Sequence, residues 1–217
     1  ALSSLNSPTN DAIDLSDALR QVGFSVHQLE NVSRKTLRRA IRDVGSDLSE
    51  GDVGLFFFAG HGVQSKGENY LIPIGADIEA EYDLEDEAVG IRTVLGAMEE
   101  SGSSLNIVIL DANRKNPFRR FFGSSTQGLA EVDAPRGTLV AFSTAPGEVS
   151  VDGGDRNSFY TKQLIQAITT PNLTIEQVFK KVRMEVERET GGAQVPWETN
   201  WLAGSELASG VYFFGET

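Results

Sequence analysis

The chain contains no cysteine, and only two of its 217 residues are histidines, His27 and His61. The absence of cysteine excludes disulfide bonds and zinc–thiolate sites, and taken literally it also excludes a cysteine nucleophile. Two histidines are too few for a histidine-rich metal site, so we expect no metal centre. No apolar run approaches the roughly 18 residues that a membrane span requires. No secretion signal is visible within these residues, which favours a cytoplasmic location.

Basic residues are also scarce, because 19 Lys and Arg stand against 31 Asp and Glu, a formal net charge of −12. Nucleic acids and anionic membranes bind basic patches, so the composition argues against both as partners. A cationic partner would fit, although solubility alone also explains the acidic excess. The length and the apolar content predict a single globular domain that needs neither a disulfide nor a metal for stability.

The spacing of apolar residues predicts helices that alternate with strands. Helices are expected over residues 10–22, 91–101, 156–169 and 174–190, and a further helix begins after the N-cap Ser33. Strands are expected over residues 24–29, 52–58, 105–110, 138–142 and 211–214, and residues 62–73 form a hairpin that turns at Lys66-Gly67. This alternation predicts an α/β fold with a mainly parallel sheet.

Two segments lack such a pattern. Residues 77–87 carry seven acidic side chains. We expect a solvated loop there; calcium binding stays open, although the spacing is not that of an EF-hand. The loop from Arg114 to Arg136 is longer than 20 residues, and a loop of that length is either functional or mobile.

Two predicted strands end in residues that can carry chemistry. The strand at 52–58 runs into Ala59-Gly60-His61-Gly62, and the strand at 105–110 runs into Asp111-Ala112-Asn113-Arg114. The carboxyl ends of parallel strands form the ligand-binding edge of a sheet. Because glycines flank His61, a reacting group can approach its imidazole, which favours a general base over a structural histidine.

These segments resemble the caspase-like cysteine peptidases, and above all their bacterial metacaspase-like branch, the orthocaspases. Animal caspases carry Gln-Ala-Cys-Arg-Gly about 50 residues after the catalytic histidine, and here Asn113 follows His61 by 52 residues. The matches to the bacterial branch are Asn10-Asp11-Ala12, Phe57-Phe58-Ala59-Gly60-His61-Gly62, Asn69-Tyr70-Leu71-Ile72-Pro73, residues 110–118, Ser143-Thr144-Ala145-Pro146-Gly147 and Val195-Pro196-Trp197-Glu198. The resemblance implies a three-layer sandwich, with helices on both faces of a mainly parallel central sheet of about six strands.

The resemblance also implies roles for individual residues. His61 would be the general base and acid, and the backbone N–H of Gly62 one donor of the oxyanion hole. In the family a cysteine thiolate stands at position 113 and attacks the scissile carbonyl, with no cofactor. Asn113 has no accessible anion near neutral pH, so this chain should not turn over substrate; calcium dependence stays open.

Two explanations of Asn113 remain. The chain is an active protease lineage in which one residue has changed, by engineering or by recent loss, or it is a natural pseudoprotease that binds peptides or partners without cutting them. We favour the first, because the histidine, its glycines and Asp111 are intact. An unrelated α/β binding domain is a more distant third reading.

Acidic residues replace the cation with which caspases hold an aspartate. In caspases an arginine follows Ser-Thr-Ala-Pro-Gly by five residues, in a segment that pairs with the substrate backbone. Here Asp152 takes its place, after Ser150 and Val151, and the resemblance points Asp111 and Asp11 toward the same pocket. Each carboxylate alone could be a helix cap or a surface charge. Together they predict binding of a peptide or protein substrate with Arg or Lys before the cut.

The resemblance implies one caspase-like domain over residues 1–217, made of a large-subunit part (1–113), a processing loop (114–136) and a small-subunit part (137–217). The basic residues of that loop match the inferred specificity. The candidate processing sites are Lys115, Arg119, Arg120 and Arg136. The family sheet begins with a central apolar strand that this sequence lacks before residue 10. We expect either that upstream residues are left out of the chain or that a separate N-terminal fragment supplies the strand.

Overall fold

The computed structural model describes residues 5, 7–112, 127–151, 156–202 and 213. The helices are α1 (Pro8–Gln21), α2 (Arg34–Asp47), α3 (Leu84–Glu87), α4 (Ile91–Glu100), α5 (Phe159–Ile168) and α6 (Ile175–Glu189). The strands are β1 (Val53–Ala59), β2 (His61–Ser65), β3 (Glu68–Ile72), β4 (Val89–Gly90), β5 (Leu105–Asp111), β6 (Thr138–Phe142) and β7 (Trp197–Asn200). Within the described ranges, no helix is both long and apolar enough to cross a membrane.

The main sheet has the strand order β1-β5-β6-β7. Strands β1, β5 and β6 are parallel, and β7 is antiparallel to β6. The predicted α/β fold with a mainly parallel sheet is therefore confirmed. The described part of the chain contributes four strands to this sheet, where about six were expected.

Strand β5 lies at the centre of the molecule, and each of its seven residues is buried. Its side chains alternate between two cores, as the period of two in a strand requires. Ile107 and Ile109 face the core built with α1, α5 and α6, whereas Val108 and Leu110 face the core built with α2 and α4. The result is the three-layer arrangement of helices on both faces of a sheet.

A second, smaller sheet of β2, β3 and β4 begins immediately after β1. The predicted hairpin is confirmed, and its turn falls at Lys66 and Gly67, whose φ angles are +51° and +80°. The acidic segment 77–87 is only partly a loop, because it contains a 3₁₀ turn, Glu81–Asp83, and helix α3. Among the described residues no group of three or more His, Cys, Asp or Glu side chains is arranged to hold a metal ion.

The strand predicted over residues 24–29 is wrong, because these residues belong to no strand. A cavity of about 1120 Å³ lies between them and β1, and no strand of the described residues pairs with either backbone on that side. Strand β1 accordingly forms the edge of the sheet, and six of its seven residues are only half-buried. Of the strand predicted over 211–214, only Phe213 is described; its ring lies 6.1 Å from that of Phe24.

Candidate active site

The two predicted chemistry-bearing segments meet where β1 and β5 end. The strands pair in register, with Ala59 opposite Asp111. The N–H of Gly60 donates to the carbonyl oxygen of Asp111 (3.3 Å), and the N–H of Gly62 donates to that of Ala112 (3.1 Å). These two bonds hold His61 beside the residue that precedes position 113. Asn113 itself lies outside the described residues.

Gly62 is required by the close packing around it. A Cβ at this position would lie 2.9 Å from Leu129 Cδ2 and 3.0 Å from Ala112 Cβ, so a larger side chain would have to displace one of them. The N–H of Gly62 is engaged with Ala112 in this arrangement. The predicted role as an oxyanion donor therefore requires that this hydrogen bond be shared with, or exchanged for, a substrate oxygen.

Two carboxylates are buried together next to this edge of the sheet. Asp11 lies in the first turn of α1 and Asp111 ends β5, and their exposed fractions are 0% and 1%. Ser158, the N-cap of α5, joins them: its N–H donates to Asp11 Oδ1 (3.0 Å) and its hydroxyl to Asp111 Oδ2 (2.5 Å). The hydroxyl of Thr161 also donates to Asp111 Oδ2 (3.1 Å). Within the described part of the chain, Asp11 Oδ2 and Asp111 Oδ1 have no hydrogen-bond partner.

The environment of Asp11 favours the protonated form of its carboxyl group. Burial, followed by the charge of Asp111, raises its pKa to about 7, although the N–H of Ser158 and the side chains of Asn157 and Ser7 act in the opposite direction. Helix α1 is held in place by a bidentate ion pair between Asp14 and Arg156, with N–O distances of 2.7 and 2.8 Å. Arg156 in turn lowers the pKa of Asp14. The carboxyl groups of Asp11 and Asp111 thus lie at a fixed place, and no basic side chain in the described ranges forms an ion pair with either of them.

The segment after β6 approaches the same place. The N–H of Ser143 donates to the carbonyl oxygen of Leu110 (3.0 Å), which adjoins Asp111. The hydroxyls of Ser143 and Ser150 are 2.8 Å apart, so Ser150 and Val151 also lie near the end of β5. The structure therefore gathers His61, Gly62, Asp11, Asp111, Ser150 and Val151 at one edge of the sheet. Asp152 lies outside the described residues.

The end of the predicted processing loop packs against the site. Both ends of the Asn69 side-chain amide bond to Ala130, at 2.7 Å to its N–H and 2.8 Å to its carbonyl oxygen. Leu129, between Gly128 and Ala130, is fully buried. Arg136 is exposed in the turn before β6; the other processing candidates, Lys115, Arg119 and Arg120, lie outside the described residues.

Sequence reasoning missed Ser158, Thr161, Asn69 and Leu129. A serine before an apolar helical pattern is an N-cap signal, so Ser158 could have been identified as the start of α5. Nothing in the sequence shows that its hydroxyl reaches a carboxylate distant in the chain.

Comparison with known proteins gives three related findings. The model of the caspase domain family matches residues 1–204. Human mucosa-associated lymphoid tissue lymphoma translocation protein 1 is 31% identical over 111 residues, which is 51% of this chain and 13% of that protein. Its mouse homologue is 30% identical over 111 residues, with the same coverage of 51% and 13%. The chain thus spans a small part of the curated relatives it matches.

A solved structure has the same fold. The crystal structure of a Geobacter sulfurreducens protein superimposes with a TM-score of 0.67 and covers 94% of this chain and 88% of that one. The sequence identity is 16%, so this likeness supports the architecture alone.

Proposed function

Because the chain belongs to the caspase domain family, we propose that it is a caspase-like cysteine endopeptidase that cleaves after Arg or Lys. Asn113 stands at the nucleophile position, so this form is expected to be inactive. The observation that carries the specificity is the buried pair Asp11 and Asp111, each with one carboxylate oxygen that lacks a partner among the described residues.

A buried pair of carboxylates is unfavourable until a cation neutralises it. The raised pKa of Asp11 agrees with this cost, because its buried carboxyl group gives up a proton less readily beside the charge of Asp111 than an isolated, exposed carboxyl group does. A guanidinium group offers five N–H donors in a planar fork, and an ammonium group offers three. Either cation would let Asp11 ionise and would occupy the oxygens that lack partners. An aspartate side chain in the same place would add a third negative charge.

The proposed chemistry follows from the meeting of β1 and β5. A thiol at position 113 would stand beside His61, which would accept its proton as the thiolate attacks the scissile carbonyl. The carbon–nitrogen bond would then break as His61 returns the proton to the leaving amine, and water would hydrolyse the acyl-enzyme. The amide of Asn113 offers no anion for the first step.

The experiment is to restore the thiol and measure peptide hydrolysis. Asn113→Cys should hydrolyse fluorogenic peptides that end in Arg or Lys and leave aspartyl peptides uncut. Asn113→Cys with His61→Ala is the matched control and should be inactive. A folded Asn113→Cys protein that remains inert, with and without added calcium, would contradict the proposal.

Asn113 also supports a second candidate, a natural pseudoprotease that binds basic peptides without cutting them. The same experiment separates the two. Under the second function Asn113→Cys stays inert, whereas the parent chain still binds an arginyl peptide.

The cavity beside β1 supports a proposal about partners. We propose that a separate N-terminal fragment inserts there as an extended apolar strand. The backbone of β1 on one side and of residues 24–29 on the other would supply its hydrogen bonds, and its two faces would meet Leu15 of α1 and Leu37 of α2. A strand as long as β1, seven residues, would span about 23 Å at roughly 3.3 Å per residue.

A further inference from the structure

Residues 143–151, which follow β6 and are called the edge segment below, form a loop whose two ends are hydrogen-bonded to each other. The hydroxyls of Ser143 and Ser150, at opposite ends of the segment, are 2.8 Å apart. Both side chains are buried, with exposed fractions of 0% and 8%. Its two ends are therefore held together beside the end of β5.

The side chain of Gln194 also hydrogen-bonds to both ends of the edge segment. This residue lies between α6 and β7, and its exposed fraction is 2%. Its Nε2 donates to the carbonyl oxygen of Ser143 (2.7 Å), and its Oε1 accepts the N–H of Val151 (2.9 Å). Its own N–H donates to the hydroxyl of Thr190 at the end of α6 (3.1 Å). Both ends of one buried amide are thus used to fix the edge segment.

We propose that Gln194 is a positioning residue for the peptide site, which fixes the conformation in which the edge segment receives a peptide backbone. This inference rests on the proposed function, because the resemblance behind that function places Ser150 and Val151 in the segment that pairs with the substrate backbone. Gln194 keeps the N–H of Val151 inside the protein. A bound peptide consequently has to pair with the backbone groups on either side of it, such as the carbonyl of Ser150.

The loss of this amide would change the edge segment for a specific physical reason. Without it, the buried carbonyl of Ser143 and the half-buried N–H of Val151 would lose these hydrogen bonds, which is more costly than the loss of an exposed hydrogen bond. The segment would move toward water to satisfy them. A peptide would then have to order the segment again when it binds, and would bind more weakly.

The test replaces Gln194 by methionine, which has a similar length and forms no such bonds. The matched control is Gln163→Met: Gln163 is also buried, and its amide donates to Glu189 (2.7 Å), between α5 and α6 and apart from the edge segment. Three quantities are measured on the Asn113 chain: hydrogen exchange at Val151, affinity for a non-covalent arginyl peptide, and the melting temperature.

We expect Gln194→Met to speed exchange at Val151 and to weaken peptide binding, each by about tenfold or more. Gln163→Met should lower the melting temperature and leave exchange at Val151 and peptide affinity within about twofold of the parent. In the Asn113→Cys background, Gln194→Met should raise KM more than it lowers kcat. Gln194→Asn, whose amide is too short to reach both partners, serves as a second variant if the methionine variant does not fold.

Two outcomes are distinguished. A Gln194→Met protein that melts earlier but keeps the parent's exchange rate at Val151 and the parent's affinity overturns the positioning role. A parent chain that binds no basic peptide overturns the proposed function instead. Exchange at Val151 alone then decides whether Gln194 holds the edge segment.

Discussion

The carboxyl groups of Asp11 and Asp111 lie together in the fold, and the charge of Asp111 helps to raise the pKa of Asp11, although the two residues are far apart in the chain. The fold brings their carboxyl groups together, with Ser158 as a shared donor. Burial and the charge of Asp111 raise the pKa of Asp11 from 3.8 to about 7. This relationship has consequences for stability and for binding that can be measured separately.

The contribution of Asp11 to stability should fall as the pH rises from about 4 to about 7. In that range the folded protein holds a proton on Asp11 that the unfolded chain has already lost, so each rise in pH favours unfolding. The full effect is about 4 kcal/mol. Asp11→Asn should remove it and raise the free energy of unfolding above that of the parent at pH 8, measured with urea. Asp17→Asn, on the exposed side of the same helix, is the control. If the free energy of unfolding depends on pH in the same way in the parent and in Asp11→Asn, the raised pKa of Asp11 is contradicted.

A basic peptide should bind through Asp111. Asp111→Ala should weaken the binding of a non-covalent arginyl peptide by roughly 2–5 kcal/mol, the range for loss of one partner of a buried charge pair. Asp152→Ala should act in the same direction if its side chain faces the peptide. Titration calorimetry on the Asn113 chain measures this without any turnover, and aspartyl peptides should bind worse than arginyl ones. Unchanged affinity in both variants would remove the basis for the specificity.

Binding should also release protons near neutral pH. A guanidinium group beside Asp11 favours its ionised form, so at pH 6 the carboxyl should lose its proton when the peptide binds. The heat of binding should then depend on the ionisation enthalpy of the buffer at pH 6 and much less at pH 8.5. Asp11→Asn should show no such dependence. A buffer-independent heat for the parent at pH 6 would show that Asp11 does not respond to the ligand.

An active form should cut itself in the loop 114–136. In Asn113→Cys, we expect cuts after Lys115, Arg119, Arg120 or Arg136. Mass spectrometry would detect them. The variant that also carries His61→Ala should show no cuts. The two products should stay together in gel filtration, because β6 pairs with β5 along its whole length. Cuts confined to acidic or apolar positions would contradict both the loop assignment and the basic pocket.

A strand peptide should stabilise the chain by filling the cavity beside β1. The peptide Ala-Leu-Val-Ile-Gly-Asn, which follows the approximate sequence of the first strand in the resembled family, should raise the melting temperature and slow hydrogen exchange in β1. The same peptide with proline in place of valine is the control, because it lacks a backbone donor within the strand. Equal effects of the two peptides, or none from either, would count against strand insertion.

Local patterns predicted much of this fold. The apolar runs at 52–58 and 105–110 predicted the strands β1 and β5, and Lys66-Gly67 predicted a hairpin turn. The notion that an apolar run is covered on both faces holds for β5, whereas six of the seven residues of β1 are half-buried. Ser33 was recognised as an N-cap, and its hydroxyl accepts the N–H of Thr36. Each of these signals lies within a few residues of the feature it predicts.

Local sequence patterns could not predict which distant segments pair with each other. Residues 24–29 alternate as a strand does, but a strand also needs a neighbour, and none lies beside them among the described residues. The two hydrogen bonds between Asn69 and Ala130 join residues that are far apart in the chain. A single asparagine has no periodicity that could predict such a contact. The meeting of Ala59 and Asp111 could be predicted, because parallel strands bring their carboxyl ends together at one edge of the sheet.

The paired ends of β1 and β5 determine which kinds of mutation this site can tolerate. Since the backbone ladder from Val53 to Ala59 sets the place of His61 against Asp111, exchanges of side chains in the surrounding helices leave that alignment unchanged. A single inserted or deleted residue in either strand would instead turn every following side chain to the opposite face. In a related sequence, a change of length within residues 53–62 or 105–112 would therefore mark a lost site even where His61 is retained.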